Sequence, residues 1–513
     1  MTVGARANTY NFAVTFFAAL GSFTYGYNSA IMGSVIGLPS FFPYFDIVQS
    51  SSKGSSIIGA VNGVYYGGGA IGCWTIAYLA DYFGRRRCIQ IICVGCIVSA
   101  ALQAGSVHIA MLLVARLLNG YCIGLMNSIV PTYQSEIAPA AQRGRLVGSH
   151  GFIICIGYAM AGWTGYGAYF ETNAAIQWRL VLALQAVAPI LLLIGSPWLP
   201  ESPRWLISRG HDAEGLRILE RLHARPDDPY HITAREEFMQ IHKQVELEHD
   251  QKVRNFIQLL IHPTYRRRMF YGFFFQCLAQ MTGVLVINNY QVLLYTNLGL
   301  HGAAPLVLYA CFNTWASFCN WVNSMILDRY GRIRIMAIGV IGCAVCVSVE
   351  AAMVAEYANG GSKAGNAIGV LFIYLFVTFY GGCVDVSMYV YCSEIFPTLI
   401  RAQGVGFSIS GLFASALLFT ELAPTAFNNI GWKYYLVFIP APLIAVCFLI
   451  RYFPETKGLT LEEVGAKFGD EVALDLTHLT EKEREELDRK LANITTLADV
   501  GNVKSPAAAV HQE

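Results

Sequence analysis

Charged side chains are scarce in this sequence. Only 13% of its 513 residues are Asp, Glu, Lys or Arg, and 55% are hydrophobic, whereas a soluble domain carries about 25% charged residues. The net charge of +1 leaves no positive excess for nucleic acid. No nucleophile with a base, metal cluster or phosphate loop is visible, so neither an enzyme nor a cofactor is expected. The composition excludes a water-soluble protein and favours one embedded in a lipid bilayer.

The sequence also lacks a cleavable signal peptide, because its first apolar run is long enough to remain in the membrane. Runs of about 20 apolar residues, enough to cross a roughly 30 Å hydrocarbon core as helices, recur along the chain. Twelve are predicted, at 10–33, 56–79, 88–107, 109–132, 146–168, 180–199, 269–296, 303–327, 335–356, 366–391, 404–427 and 434–453. This pattern predicts an all-α membrane protein with twelve transmembrane helices.

Arginines are concentrated in alternate connections between these spans, as in the clusters at 85–87, 266–268 and 329–334. The opposite connections hold only Lys53, Arg179, Lys363 and Lys433. Because cytoplasmic loops carry the excess of Lys and Arg, the arginine-rich side is predicted to be cytoplasmic. An even number of spans then places both termini in the cytoplasm, and we expect a multi-pass protein of the plasma membrane.

Fourteen cysteines lie almost entirely within the apolar runs, which argues against an extracellular disulfide framework. Two pairs, Cys93 with Cys96 and Cys343 with Cys346, match the C-x-x-C spacing of metal and redox sites. Those chemistries need thiolates, and a charged thiolate is costly in hydrocarbon. We therefore interpret these cysteines as small packing residues.

Three charged motifs occur twice, about 250 residues apart. They are "DYFGRRR" (81–87) with "DRYGRIR" (328–334), "YQSEIAPAAQRG" (133–144) with "YCSEIFPTLIRAQG" (391–404), and "PESPR" (200–204) with "PETKG" (454–458). The members of each pair follow the second, fourth and sixth spans of their halves. The sequence therefore predicts an internal duplication of six helices.

A polar stretch separates the two halves. Residues 213–222 and 233–253 have helical spacing with charged faces, and "RPDDP" at 225–229 separates them. We predict an N-terminal six-helix bundle at 1–204, a cytoplasmic linker with short helices at 205–268, a C-terminal six-helix bundle at 269–453 and a cytoplasmic tail at 454–513. Within the tail, 459–468 is predicted to be helical and the last residues to be disordered.

The motifs together resemble those of the sugar porter family of the major facilitator superfamily, in particular fungal hexose transporters. They include the D-x-x-G-R-R-R run from Asp81, the P-x-Y-x-x-E run from Pro131, "PESPRWL", "DRYGR", "SEIFP" and "PETKG". The resemblance implies two pseudo-symmetric bundles that rock around a midplane site by alternating access. It implies transport of a small neutral sugar, most simply a monosaccharide. Alternatives are a disaccharide, a polyol or a cyclic hydroxy acid, and a non-transporting sugar sensor, although the tail is short for a sensor.

The resemblance also assigns the charged residues at the cytoplasmic ends to a gate. Its members here are Asp81, Arg85, Glu136, Arg143, Arg204, Asp328, Arg332, Glu394 and Arg401. Arginine and carboxylate groups at these ends can pair across the two halves, and pairs at the partly dehydrated membrane edge are stronger than exposed ones. The alternative is ordinary anchoring by positive charge on the cytoplasmic side.

Polar side chains within the spans indicate where a substrate binds, because they are costly in lipid unless they face a partner or a wet cavity. The candidates are Gln276, Gln280, Asn288, Asn289 and Tyr290 in the seventh span, Asp385 and Tyr389 in the tenth, and Asn28 in the first. By resemblance, Gln280 and Tyr290 match sugar-binding residues of the family.

Other positions depart from the family pattern. Ala279, Leu285 and Asn289 replace a glutamine, an asparagine and a tyrosine of the seventh span. Gly151, Tyr389 and Leu412 stand where a glutamine, a tryptophan and a second glutamine are usual, and two acids, Asp385 and Glu421, are added.

The residue at position 28 bears on whether transport is coupled to protons. Many proton-driven relatives carry aspartate in a G-Y-D motif, and this chain has Asn28 in "GYN". An amide exchanges no proton at physiological pH, so facilitated diffusion is expected. Symport with protons remains the alternative, with Asp385 or Glu421 as the carrier.

Overall fold

The structure, a computed structural model, is helical throughout the part of the chain that it describes. It describes residues 9–48, 51–138, 143–224, 228, 231–250, 261, 263–297, 300–357, 363–397, 400–457 and 461–468. No strand occurs among these residues. The predicted disorder of the last residues lies outside them.

The long helices form twelve segments within the described residues, one at each predicted apolar run. They are span 1 (Thr9–Ala18 and Leu20–Ile36), span 2 (Ser52–Phe83), span 3 (Arg85–Ala104), span 4 (Ile109–Ile137), span 5 (Arg143–Tyr169), span 6 (Ala174–Leu184 and Val187–Gly195), span 7 (Pro263–Met281 and Val284–Asn297), span 8 (Ala304–Tyr330), span 9 (Arg332–Tyr357), span 10 (Lys363–Phe379 and Asp385–Glu394), span 11 (Arg401–Ile430) and span 12 (Gly431–Phe438 and Pro440–Tyr452). The shorter elements are Phe41–Tyr44, Ser196–Trp198, Pro203–Ser208, Asp212–His223, Ile232–Asp250, Tyr380–Val384 and Leu461–Phe468.

By length and apolar composition alone, seven helical stretches of the described chain are able to cross a membrane, one of which joins spans 11 and 12. Span 1 is not among the seven, and it is divided at Ala19 into helices of 10 and 17 residues. Such interruptions are tolerated where the backbone is covered by neighbouring helices.

Two spans that the sequence predicts as continuous are irregular near their middle. Span 7 breaks at Gly283, whose φ of +85° lies in the left-handed region that favours glycine. A Cβ atom at this position would lie 2.9 Å from the Phe438 ring. Span 10 contains a π-helical turn, Tyr380–Val384, immediately before Asp385. Both irregularities lie next to predicted substrate residues.

The two halves pack along spans 2 and 11 and along spans 5 and 8. Spans 2 and 11 approach each other closely where span 2 has glycine, which has no side chain. Gly59 and Gly63 of span 2 lie against Glu421 of span 11. We call the end of the bundles that holds Arg85, Glu136, Arg332 and Glu394 the charged end. Glu421 lies toward the opposite end.

Three helices follow span 6, at Pro203–Ser208, Asp212–His223 and Ile232–Asp250. The last two correspond to the short amphipathic helices predicted at 213–222 and 233–253, and the first is not predicted. They bury an apolar cluster of their own that includes Ile207, Leu219 and Phe238. Arg221 lies over the ring of Tyr10 in span 1, 4.1 Å from its centroid. The segment is therefore a small helical unit packed on the charged end.

Candidate functional site

The repeated charged motifs form one bidentate ion pair in each half. Arg85 donates from Nε and Nη2 to the two carboxylate oxygens of Glu136, both at 2.9 Å. Arg332 donates likewise to Glu394, at 3.1 and 2.7 Å. Arginine forks match carboxylates in this geometry. Each arginine thus bonds the glutamate of its own repeat, so these two pairs lie within a half and not between the halves.

A second glutamate in each half caps the helix that carries the arginine. Glu201 accepts a hydrogen bond from the backbone nitrogen of Arg85 at 2.8 Å, and Glu455 accepts one from Arg332 at 2.9 Å. A carboxylate at a helix N-terminus satisfies orphan N–H groups and complements the helix dipole. The sequence shows "PESPR" and "PETKG" as repeats but does not reveal this capping role.

The remaining predicted gate residues lie around these pairs. Asp81 is exposed and 3.5 Å from Arg85, and Arg204 is half-buried in the helix after span 6. Arg401 is buried and donates from Nε to the carbonyl of Phe396 at 3.3 Å. Arg143 and Asp328 lie in helices at the same end, but their side chains are outside the described part of the structure.

Two predicted substrate residues of span 7 bond span 2 across the interface between the halves. Asn289 donates from Nδ2 to the hydroxyl of Tyr66 at 2.8 Å. Asn62 donates to the hydroxyl of Tyr290 at 3.2 Å, and that hydroxyl donates to the Thr420 carbonyl at 2.8 Å. These contacts place both residues between the bundles.

Asn288 lies beside span 8. Its Nδ2 donates to Asn313 Oδ1 at 2.9 Å, and its Oδ1 accepts from the Tyr309 hydroxyl at 3.1 Å. The same hydroxyl lies 2.9 Å from the carbonyl of Ala30 in span 1. Asn288 therefore supports a contact between the halves.

The two glutamines of span 7 face span 10. Gln276 donates from Nε2 to the Met388 carbonyl at 3.3 Å, and the Gln280 side chain lies near the hydroxyl of Tyr380 in the π-helical turn. Both glutamines are buried. The two glutamines therefore connect the two irregular spans.

Asp385 and Tyr389 of span 10 face span 5 of the other half. Asp385 Oδ2 accepts from the thiol of Cys155 at 3.3 Å. The ring of Tyr389 packs edge to face on His150, with centroids 5.0 Å apart. His150 in turn bonds Ser22 Oγ at 2.7 Å. Asp385 and Tyr389 therefore both contact span 5 of the other half.

Asn28 bonds its own helix, since Nδ2 donates to the Thr24 carbonyl at 2.8 Å. Its backbone carbonyl lies 3.4 Å from Nη1 of Arg116, a fully buried arginine of span 4. The Arg116 guanidinium lies over the ring of Tyr65, 4.2 Å from its centroid. A charged residue in the middle of a span indicates a functional position. Arg116 is such a residue, but it is missing from the candidates that were predicted from the sequence.

Several amides of this region have one property in common beyond burial. Six of them, at or near the interface, have a buried side-chain oxygen without a partner among the described residues: Asn28, Asn62, Gln276, Gln280, Asn289 and Asn320. Buried polar atoms are ordinarily hydrogen-bonded. Hydroxyl groups donate hydrogen bonds, so these oxygens suit a neutral polyhydroxylated ligand.

A small cavity of about 10 Å³ lies beside this region on the side of the charged end. It is lined by Pro131, Thr132, Ser135, Gln276, Tyr389, Cys392, Ser393, Arg401, Val405 and Ile409. Residues of span 4 thus face residues of spans 7, 10 and 11. The pocket joins predicted substrate residues to the predicted gate residue Arg401.

Two helical bundles with a polar site between them define a membrane transporter of the alternating-access type. A family model described as "Sugar (and other) transporter" matches residues 14–468. The chain therefore belongs to this sugar porter family of the major facilitator superfamily, and it is a transporter rather than an enzyme.

Individual proteins similar to this chain are also named as transporters. The chain is 34% identical to the MFS-type transporter criB of Aspergillus cristatus, over 91% of this chain and 95% of that one. It is 28% identical to a high-affinity glucose transporter of Kluyveromyces lactis, over 91% and 86%. The proton:xylose symporter XylE, solved with 6-bromo-6-deoxy-D-glucose, shares the fold with a TM-score of 0.77 and 23% identity, over 90% and 99%. The predicted fold of two six-helix bundles is confirmed.

Proposed function

We propose that this protein moves a neutral monosaccharide across the plasma membrane by facilitated diffusion. The observation that carries the proposal is the set of buried, unpartnered amide oxygens contributed by both halves at their interface. A sugar offers several hydroxyl donors close together, and each can satisfy one such oxygen. The relative named as a glucose transporter supports this substrate class.

The proposed binding residues are those nearest the interface. They are Gln276, Gln280, Asn288, Asn289, Tyr290, Asp385, Tyr389 and Asn28. Asn289, Tyr290 and Asp385 bond the other half directly. Rearrangement of these cross-bundle contacts would let the halves move around a bound sugar, as alternating access requires.

The charged end is proposed to face the cytoplasm, because it carries the arginine clusters. There the pairs Arg85–Glu136 and Arg332–Glu394 hold spans 3 and 4, and spans 9 and 10, in fixed positions. We infer that Asp81, Arg143, Arg204, Asp328 and Arg401 complete a gate whose closed and open states differ in contacts between these rigid ends. We also propose the division into bundles 1–204 and 269–453, linker 205–268 and cytoplasmic tail 454–513.

Uptake by the purified protein in liposomes tests the proposal. Labelled hexoses, pentoses, lactose and polyols are supplied separately, and initial rates are measured with and without each unlabelled competitor. Saturable uptake of a hexose or pentose is expected. Uptake of lactose or a polyol alone would replace the monosaccharide assignment, and sugar binding without uptake would support a sensor.

A further inference from the structure

Two exposed tryptophans of the N-terminal half bond hydroxyl groups of the C-terminal half. Trp74 of span 2 donates from Nε1 to Oγ of Ser410 in span 11, at 2.9 Å. Trp163 of span 5 donates from Nε1 to Oγ1 of Thr314 in span 8, at 3.0 Å. These are the two pairs of spans along which the halves pack. Each interface between the halves therefore contains one tryptophan hydrogen bond.

Both tryptophans lie on helix faces that a membrane would cover with lipid. Trp74 is 53% exposed, and Ile71 and Tyr78, about one turn before and after it, are 50% and 66% exposed. Trp163 is 41% exposed, and Met160, one turn before it, is 45% exposed. The two bonds therefore lie at the lipid-facing edges of the interfaces.

The two bonds have the same chemistry. The Ser410 hydroxyl donates its own hydrogen to the Phe407 carbonyl at 2.6 Å. The Thr314 hydroxyl donates its hydrogen to the Ala310 carbonyl at 2.8 Å. Each hydroxyl oxygen is therefore the acceptor, and the indole N–H can only donate. Hydrocarbon offers no replacement acceptor, so a broken bond leaves the N–H without a partner.

The two tryptophans lie on opposite sides of the middle of the molecule. Span 2 ends at the charged end with Phe83, and Trp74 is 83 − 74 = 9 residues before it, which is about 14 Å along a helix. Span 5 ends at the opposite end with Tyr169, and Trp163 is 169 − 163 = 6 residues before it, which is about 9 Å. One bond is therefore near the charged end and the other is near the opposite end.

The helices approach each other closely beside each bond. A Cβ atom at Gly406, one turn before Ser410, would lie 2.9 Å from the carbonyl oxygen of Cys73. A Cβ atom at Gly162, next to Trp163, would lie 2.8 Å from Cα of Ala310. Each bond thus joins helices whose backbones are in contact, so it cannot persist when the halves separate at its end.

We propose that the Trp74–Ser410 and Trp163–Thr314 bonds break alternately in the transport cycle. Opening at the charged end breaks the first bond, and opening at the opposite end breaks the second. The inference rests on the proposed transport by alternating access, in which the halves separate at one end at a time, but it does not depend on the sugar. Trp74 and Trp163 are therefore positioning residues that set the balance between the two access states.

Hydrogen exchange measured by mass spectrometry tests this inference on the purified full-length protein in lipid nanodiscs, without sugar. Trp74→Phe keeps an aromatic ring and removes the N–H, so backbone exchange should rise at the charged ends of spans 2 and 11 and not at the opposite end. Trp163→Phe should raise exchange at the opposite ends of spans 5 and 8 and not at the charged end. Increases of about three- to tenfold are expected, as for one hydrogen bond between membrane helices.

Trp315→Phe is the matched control. Trp315 is 42% exposed and donates to Oγ1 of Thr378 at 2.8 Å, but both residues belong to the C-terminal half. This variant should therefore change exchange at neither end of the interfaces. Ser410→Ala removes the acceptor of Trp74 and should reproduce Trp74→Phe. The two changes together should have no larger effect than either alone, because they remove the same bond.

A rise at both ends in each variant, or responses equal to that of Trp315→Phe, would overturn the proposal, because a bond that only stabilises the fold has no preferred end. If the tryptophan variants do not fold, Ser410→Ala and Thr314→Ala test the same two bonds, and exchange equal to that of wild type in both would exclude them. End-specific responses in a protein that takes up no sugar in liposomes would contradict the proposed substrate and not the alternation of the two bonds.

Discussion

Gln280 shows at the scale of one residue how the proposed sugar site would work. Its side chain lies near the Tyr380 hydroxyl, and its amide oxygen is buried without a partner among the described residues. We predict that Gln280→Ala weakens sugar binding by about 1–2 kcal/mol, or five- to thirtyfold, because one neutral hydrogen bond is lost. Half-saturation for uptake and direct binding of labelled sugar measure the effect.

The control for this variant is Gln90→Ala. Gln90 bonds Ser196 within the N-terminal half, at 2.9 Å, so its removal tests the loss of an amide away from the interface. Its half-saturation should match that of wild type. Normal half-saturation in a properly inserted Gln280→Ala protein would remove Gln280 from the proposed site.

At the scale of elements, Glu136 joins the ends of spans 3 and 4 through its bidentate pair with Arg85. We predict that Glu136→Gln slows transport and leaves sugar binding measurable, because it shifts the balance between the two access states by about 1–3 kcal/mol. Exchange rate and equilibrium binding are measured on the same preparation. Glu214→Gln, on the exposed face of a linker helix, should change neither, and lost binding with retained turnover in Glu136→Gln would place Glu136 in the sugar site instead.

Gly283 divides span 7 into its two helices. We predict that Gly283→Ala destabilises the protein by about 1–2 kcal/mol, because a side chain is strained at positive φ and its Cβ would crowd Phe438. Thermal unfolding in detergent measures the loss, with Gly167→Ala in span 5 as control, since a Cβ there meets no atom within 4 Å. An equal unfolding temperature for both variants would show that the break does not depend on glycine.

Features set by the local sequence are predicted correctly, whereas features set by packing between distant spans are not. Apolar length predicts all twelve segments, since it reflects burial in lipid. The break at Gly283 is not predicted, because it depends on a positive φ within an otherwise continuous apolar run and on packing against Phe438 from span 12. The charged motifs likewise identify Arg85 and Glu136 as candidate gate residues. That the two side chains bond each other follows only from the packing of spans 3 and 4.

In the candidate site, too, the sequence identifies the residues but not their partners in other spans. Mid-span polarity identifies Asn289 and Asp385, because buried amides and acids are costly unless they have a partner. Their contacts with Tyr66 and Cys155 come from the other half and cannot be read from one span. Arg116 in span 4 meets the same criterion of polarity, so the sequence alone is sufficient to identify it.

At the scale of the whole molecule, the duplication makes the differences between halves informative. The ion pairs and glutamate caps are repeated in both halves, as expected for parts that serve both bundles alike. The buried acid Glu350 of span 9 is not repeated, because Gln103 stands at the corresponding place in span 3. The halves thus share the residues that hold their charged ends together, and the repeat does not require the residues in which they differ.

Coupling is a property of the whole transport cycle, and the sequence of span 1 argues for transport without protons. Asn28 holds its amide on the Thr24 carbonyl at 2.8 Å, and an amide neither takes up nor releases a proton at physiological pH. In span 10, Asp385 bonds Cys155 of the other half, so it is the acid best placed to carry a proton if one moves. Glu421 lies toward the opposite end, against Gly59 and Gly63.

We predict that an imposed proton gradient does not drive accumulation. Liposomes containing the protein are loaded with the same sugar concentration inside and outside, and the external pH is then lowered. Net sugar content should stay constant, while exchange of labelled for unlabelled sugar continues and shows that the protein is active. Sustained accumulation that a protonophore abolishes would instead establish symport. Asp385→Asn and Glu421→Gln would then identify the carrier, since only the variant of the residue that transfers the proton should lose accumulation and keep exchange.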